Sequence, residues 1–265
     1  MEEVAPGVFV ATARAYVTTT TVVAGAGGGC LVIDPAVTVA ELDALASWLS
    51  ARGLHPVAGW STHPHWDHLL WSRSLGDAVR YATPRAAEVA ARQRPGLIGG
   101  VQEAAPGHDL ALFARLQPLH EPRIPWRGPR AVAVAHDAHA PGHGAVFLPD
   151  TGVLVAGDMC SDIEIPLLDM GSADPFGGYR RGLGVLAAVP GVRVVVPGHG
   201  RAGDAAEFRR RVAADFTYLD GTETGRDVAD ERLAVAPGWL RAEHDRQRAL
   251  AAAELTESSP ARTPE

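Results

Sequence analysis

Three short apolar or β-branched runs, Val8–Val10, Tyr16–Val23 and Cys30–Ile33, open the chain and are separated by glycine-rich turns. This pattern predicts an antiparallel meander. Asp34-Pro35 ends the third run. Thr38, with Glu41 three residues later, makes a capping-box signature ahead of Val39, Leu42, Leu45, Ala46 and Leu49. It predicts an amphipathic helix closed by Gly53. Val57–Ser61 reads as a buried strand, Leu69–Leu75 as a short helix and Val79–Ala82 as another strand, and Thr83-Pro84 caps and starts the next helix.

Between residues 95 and 130, prolines and glycines interrupt any period, which predicts a long loop or lid. Short strands then return at Ala131–Ala135, Ala145–Leu148 and Val153–Ala156, one of the turns being Pro149-Asp150-Thr151-Gly152. Tyr179–Val189 reads as a helix and Val192–Val196 as a strand, and Phe208, Val212, Phe216 and Leu219 recur at helical spacing. Strands and helices therefore fill both halves in similar order, predicting one domain over residues 1–255. The polar, proline-containing stretch 256–265 is expected to be a disordered tail.

Composition narrows the function. With 265 residues, 46% of them hydrophobic, a sizeable core can be buried. The formal charge of −7 lacks the basic surface that polyanion binding needs, so nucleic acid is not an expected partner. Lysine is absent and all 24 cationic side chains are arginine, which excludes Schiff-base chemistry and a Walker-type phosphate loop. Two cysteines, Cys30 and Cys160, are too few for a disulfide framework and are not spaced as a thiolate zinc site. Cys160 reads as an ordinary buried thiol. Met1-Glu2-Glu3 begins no basic-then-apolar leader, and no apolar run approaches the ~20 residues of a membrane span. A soluble cytoplasmic protein is the expectation, with no membrane partner; the sequence leaves a homodimer open.

The candidate chemistry lies in the histidines. In His63-Pro64-His65-Trp66-Asp67-His68, residues two apart share a face of an extended chain, so His63, His65 and Asp67 converge and His68 comes round as the chain turns. Pro64 favours that extended backbone. Three imidazoles and a carboxylate within six residues suit a borderline cation such as zinc, and a single ion would leave some of them unused. Further on, Pro141-Gly142-His143-Gly144 puts a histidine in a tight turn between strands. Gly157-Asp158 puts a carboxylate just past a strand, and Pro197-Gly198-His199-Gly200 does the same with an imidazole. Strand ends are where an α/β scaffold carries chemistry.

These four elements, in this order over roughly residues 4–220, resemble the metallo-β-lactamase superfamily, and more closely its glyoxalase- and lactonase-type members than the class-defining β-lactamases, which lack the carboxylate of Gly157-Asp158. The resemblance implies an α/β fold, a four-layered αββα sandwich of two mixed β-sheets flanked by helices. It implies two zinc ions per chain, iron or manganese being alternatives. His63, His65 and His143 would bind one ion, Asp67, His68 and His199 the other, and Asp158 would bridge them. His139 is a competing ligand, but the family pattern assigns the histidine after Pro-Gly, so His139 is expected to stand behind the metals. Asp34, which resembles the family's early aspartate, is expected to orient the metal loop. The other histidines, 55, 108, 120, 136 and 244, lack a constellation and read as satisfied or solvated.

What the resemblance implies chemically is a binuclear metallohydrolase acting on an ester, thioester, lactone or amide bond of a small molecule. A bridging hydroxide would attack, and Asp67, the expected catalytic residue, would orient it. Two dications, two aspartates and that hydroxide leave a centre near +1, suited to an anionic transition state. The absence of lysine weighs against a glutathione thioester. A mononuclear iron dioxygenase of the persulfide-oxidising type is the alternative from another enzyme class, and a binding protein that has lost catalysis is a third reading, disfavoured by the complete ligand set. Residues 95–130 and 161–180 are the expected substrate walls. Trp66, Trp126, Phe176 and Tyr179 are candidate contacts there, and Arg123, Arg127, Arg180 and Arg181 are candidate partners for a substrate carboxylate.

Overall fold

The computed structural model describes residues 1–35 and 37–257. β1 (Glu2–Ala5), β2 (Val8–Thr12), β3 (Thr19–Ala24) and β4 (Gly29–Ile33) form the expected antiparallel meander, with β1 an addition to the sequence reading. After α1 (Val39–Ser50) the chain turns parallel, through β5 (His55–Trp60), β6 (Val79–Ala82) and the two-residue β7 (Gln117–Pro118). The result is a seven-stranded mixed sheet in the order β1-β2-β3-β4-β5-β6-β7. The capping box is present in full: Thr38 accepts the Glu41 N–H, and the Glu41 carboxylate accepts the Thr38 N–H.

The second sheet, ordered β12-β11-β10-β9-β8, is also mixed. It comprises β8 (Val132–Ala135), β9 (Gly144–Leu148), β10 (Val153–Gly157), β11 (Val194–Pro197) and β12 (Gly203–Asp204), of which only β10 and β11 run parallel. Around it lie α3 (Pro175–Ala187), α4 (Ala205–Glu223), α5 (Glu231–Ala234) and α6 (Gly238–Glu257). Leu31, Ile33 and Trp60 of the first sheet meet Val146, Leu148 and Val155 of the second to form the central core. The outer face of the first sheet packs Val22 and Val32 on Leu42, Leu45 and Leu49 of α1. That of the second packs Leu154 and Val195 on Leu183, Phe208 and Leu240. Helix, sheet, sheet and helix are the four layers expected.

Several local expectations are corrected. Residues 95–104 are not loop, because α2 runs from Pro84 to Ala104 straight through Pro95. Leu97, Ile98 and Val101 pack against Leu69, Leu70 and Phe113, a burial that offsets the missing N–H of the proline. Leu69–Leu75 is irregular between two single 3₁₀ turns, Trp66–His68 and Arg73–Leu75. The predicted run Tyr16–Val23 becomes a strand only from Thr19, as β3, since Tyr16 and Val17 both adopt φ = 57°. Thr256 and Glu257 continue α6; the remainder of the predicted tail, 258–265, lies outside the described residues. No described helix is long and apolar enough to cross a membrane.

The two sheets are stitched together at one end. The Trp60 indole donates to Gly144 O at 2.8 Å, the Gly144 N–H to Thr62 O at 2.7 Å and the Thr19 N–H to Gly198 O at 2.7 Å. The loops that follow β5, β8, β10 and β11 meet there.

Candidate metal centre

Two groups of donor atoms converge at that end. His63 Nε2 and His139 Nε2 each lie 3.0 Å from His65 Nδ1, and Asp158 Oδ2 is 3.3 Å from both Nε2 atoms. In the second group, Asp67 Oδ2 is 3.4 Å from His68 Nε2 and 3.2 Å from His199 Nε2, which are 3.3 Å apart. Asp158 touches both groups, with Oδ1 3.2 Å from His68 Nε2 and Oδ2 3.3 Å from His199 Nε2. Donors at about 2.0–2.1 Å from a tetrahedral zinc are about 3.3 Å from one another, and the observed spacings match the edges of such a polyhedron.

Proton placement supports the same reading. His139 Nδ1 donates to Leu167 O at 3.0 Å and His199 Nδ1 to Tyr16 O at 2.7 Å. His68 Nδ1 is 3.0 Å from Asp34 Oδ2. Thr62 Oγ1 donates to Asp34 Oδ2 at 2.6 Å and so accepts from His63 Nδ1 at 3.0 Å. His63, His139 and His199 therefore each present an outer Nδ1–H to an oxygen and turn Nε2 inward, the arrangement that outer hydrogen bonds impose on metal-binding imidazoles. Lone pairs and carboxylates pointing at one another make an arrangement that a cation resolves.

Without a cation the same crowding shifts the titration of His63, His65, Asp67, His68, Asp158 and His199. Burial first, then neighbouring imidazoles, holds His65 down to about 4, and burial holds His63 well below its ordinary value. Burial also opposes charge on His68 and His199, yet the carboxylates beside them, Asp158 foremost, outweigh it and hold both well above the usual range. Asp67 and Asp158 are held well below theirs, burial being overcome by the histidines. A cation would replace those protons.

The structure brings His139, rather than His143, among the donors. His139, expected behind the centre, belongs to the first donor group, and His143, expected as a ligand, lies outside both groups. They share the loop between β8 and β9, which is closed at its base by the His136 N–H donating to His143 O at 2.8 Å. His139, with φ = 66°, sits within that loop and reaches the cluster. His143 is at its base, fully buried, stacked on His63 and bonded through Nδ1 to His136 Nε2 at 3.1 Å. Gly157, with φ = 59°, packs against the His143 ring, where a Cβ would collide with Nε2. Thus His136, read from sequence as an ordinary satisfied or solvated histidine, supports His143, and His143 buttresses His63.

Asp34 lies outside both donor groups: one oxygen accepts the Thr62 N–H at 2.9 Å, and the other meets His68 and Thr62. Backbone strain gathers here. Among the described residues six non-glycines have positive φ, and five of them, Tyr16, Val17, Asp34, His139 and Cys160, belong to or adjoin the centre.

A cavity of about 870 Å³ opens over the donors. Much of its wall comes from α2 (Gln93 to Ala104) and from Glu164 to Met170, so of the predicted walls only 97–104 within 95–130 and 164–170 within 161–180 contribute. Trp66 lines it; Phe176 and Tyr179 are core, and Trp126 packs against the central core. None of the four candidate arginines lines it: Arg180 pairs with Asp220 and Glu223, and Arg181 with Asp174. The sequence reading missed Tyr16 and Glu164. Glu164 had a visible signal, a lone acid between Ile163 and Ile165 six residues past Asp158.

The sequence profile of the metallo-beta-lactamase superfamily matches residues 13–199, a span that includes every donor in both groups. The chain belongs to the metallo-β-lactamase superfamily. Solved structures agree on the fold. A beta-lactamase domain protein from Burkholderia ambifaria superposes with a TM-score of 0.67 at 18% identity, over 84% of this chain and 77% of that one. A metallo-beta-lactamase family protein from Thermus thermophilus gives 0.63 at 22%, over 83% and 82%. The stereoselective inverting sec-alkylsulfatase from Pseudomonas sp. gives 0.68 at 18%, covering 99% of this chain but 52% of its own. No curated protein matches significantly in sequence. As a superfamily member, the chain has a His/Asp cluster able to hold metal, which fits a metal-dependent hydrolase.

Proposed function

We propose that this protein is a binuclear metallohydrolase that cleaves an ester, thioester, lactone or amide bond of a small molecule. The observation that carries the reading is Asp158, whose carboxylate lies within 3.2–3.3 Å of imidazoles from both donor groups. His63, His65 and His139 would hold one ion, and Asp67, His68 and His199 the other. Zinc suits these nitrogen and oxygen donors. Bound there, a pair of cations supplies Lewis acidity toward the scissile carbonyl and acidifies a water.

The chain's own residues do the rest. Asp67 uses Oδ2 toward His68 and His199, while its Oδ1 has no protein partner among the described residues and its carboxylate lines the cavity. A water there can donate a hydrogen bond to Oδ1, which fixes the direction of its lone pair, and Asp67 can then pass a proton toward the leaving group. Asp34, through Thr62, holds the His63 proton on Nδ1 and keeps its Nε2 available, and the same carboxylate lies 3.0 Å from His68 Nδ1. Trp66 and the leucines of the wall, Leu97, Leu167 and Leu168, exclude bulk water from one side.

The test is metal content by mass spectrometry on protein purified without chelator, followed by lactone, thioester, ester and phosphodiester substrates. Two zinc-like ions per chain with hydrolysis of a carbonyl substrate support the reading; one iron per chain with oxygen consumption overturns it. Asp67→Asn leaves its donor group only His68, His199 and the shared Asp158, so it is expected to weaken binding of one metal equivalent and, reloaded with excess zinc, to lower kcat by about 10²–10⁴-fold.

A further inference from the structure

The cavity wall has a chemical bias that the metal centre does not explain. Beyond the donors it carries four carboxylates, Glu103, Glu164, Asp169 and Glu243, and among the described residues no arginine; the chain has no lysine to supply instead. Glu243 is neutralised by an ion pair with Arg246, and Glu103 is exposed to water.

Glu164 differs from these. It is only 8% exposed, and its backbone is fixed on both sides: its N–H donates to Ser161 Oγ at 3.1 Å and its C=O accepts from Arg232 Nη1 at 2.9 Å. Ser161 is itself anchored, donating to His199 O at 2.7 Å. The Glu164 carboxylate, by contrast, accepts no hydrogen bond from a described residue. Its nearest ring nitrogen, His199 Nδ1 at 3.9 Å, donates its proton to Tyr16 O instead. Glu164 also belongs to neither donor group. A buried carboxylate that no protein hydrogen bond satisfies and whose nearest cationic partner is 3.9 Å away is stabilised in its charged form when a further cation meets it.

Aromatic rings complete the wall. Tyr16 and Trp66 meet edge to face, with centroids 5.8 Å apart and planes at 85°, and Trp239, 51% exposed, lines the same cavity. Aromatic rings and a carboxylate lining one cavity are surroundings suited to an alkylammonium group. We propose that this wall receives an organic cation, so that the substrate is an ammonium-bearing ester, thioester, lactone or amide, with the apolar wall taking the spacer between the cation and the scissile bond. The proposal rests on the hydrolase reading for the reaction, and on Glu164 and the rings for the cation. In a thioester, for example, water adds its oxygen to the carbonyl carbon, the C–S bond breaks, and the thiolate leaves with one of the water's protons, giving an acid and an ammonium thiol. Substrates with an anionic tail would meet like charge at Glu164.

Two measurements on the zinc-loaded protein test this. The first is calorimetric binding of phenyltrimethylammonium to wild type and to Glu164→Gln, the variant first being matched to wild type in metal content and melting temperature. Saturable binding that weakens about tenfold in the variant is expected. The second compares kcat/KM for three thioesters on wild type alone: S-acetylthiocholine, its neutral isostere S-(3,3-dimethylbutyl) thioacetate, and S-acetyl-3-mercaptopropionate. The cation should exceed the neutral isostere, and the neutral isostere the anion, by about tenfold each. Hydrolysis of all three at similar rates, or a preference for the anion, overturns the cation assignment and leaves the hydrolase reading standing. Glu164-dependent binding of phenyltrimethylammonium with no thioester cleaved does the reverse: the cation site stands, and hydrolysis of this bond type fails.

Discussion

At the scale of single residues, the centre depends on which of two histidines four positions apart faces the donors. The sequence places His139 and His143 on one short loop, and the Pro-Gly before His143 singles it out by resemblance. What decides the matter is backbone geometry that no local pattern displays: the left-handed φ of His139 and the close packing of His143 against Gly157 and His63. The two residues therefore separate experimentally. His139→Ala is expected to lose about one equivalent of metal, because the first donor group keeps only His63, His65 and the shared Asp158. His143→Asn is expected to retain both equivalents and to lose stability instead, by about 1–3 kcal/mol, through a disturbed buried hydrogen bond and poorer packing under His63. Metal analysis paired with denaturant titration checks both, and a metal loss confined to His143→Asn would restore the ligand set expected from sequence.

At the scale of elements, the donors stand where strands stop. His63 to His68 follow β5, Asp158 follows β10 and His199 follows β11, and these positions were legible because an apolar run ending in Gly-Asp or Pro-Gly-His announces itself. The capping box of α1 and the apolar runs of the strands were legible for the same reason, being local. The continuation of α2 past Pro95 was not, since it is stabilised by contacts with Leu69, Leu70 and Phe113 that are distant in sequence. Nor was the burial of Glu164 within the irregular 161–180 segment, since its position depends on Arg232 arriving from α5. Strand ends this crowded tolerate no added atom. A Cβ on Gly198 would collide with Asp158 Oδ1, so Gly198→Ala should displace the carboxylate shared by both groups. The expected result is loss of metal from both sites together rather than from one, read as co-varying occupancy in a zinc titration.

For the whole molecule, two sheets that each bury one face against helices are stable layers on their own terms, but the end where they meet collects two buried aspartates, Asp67 and Asp158, among five imidazoles. That end is poorly balanced unless positive charge enters it, so metal binding adds to folding free energy. Complete removal of metal is expected to lower Tm by on the order of 10 °C, with recovery on adding zinc; an unchanged melt after proven metal loss would show that the donors do not carry stability. The most direct measurement of the central claim is an anomalous difference map from crystals grown with zinc. Two peaks about 3.5–4 Å apart, on either side of Asp158 and with His139 bound to the first, are the predicted result. A single peak, or one bonded to His143 in place of His139, would contradict it.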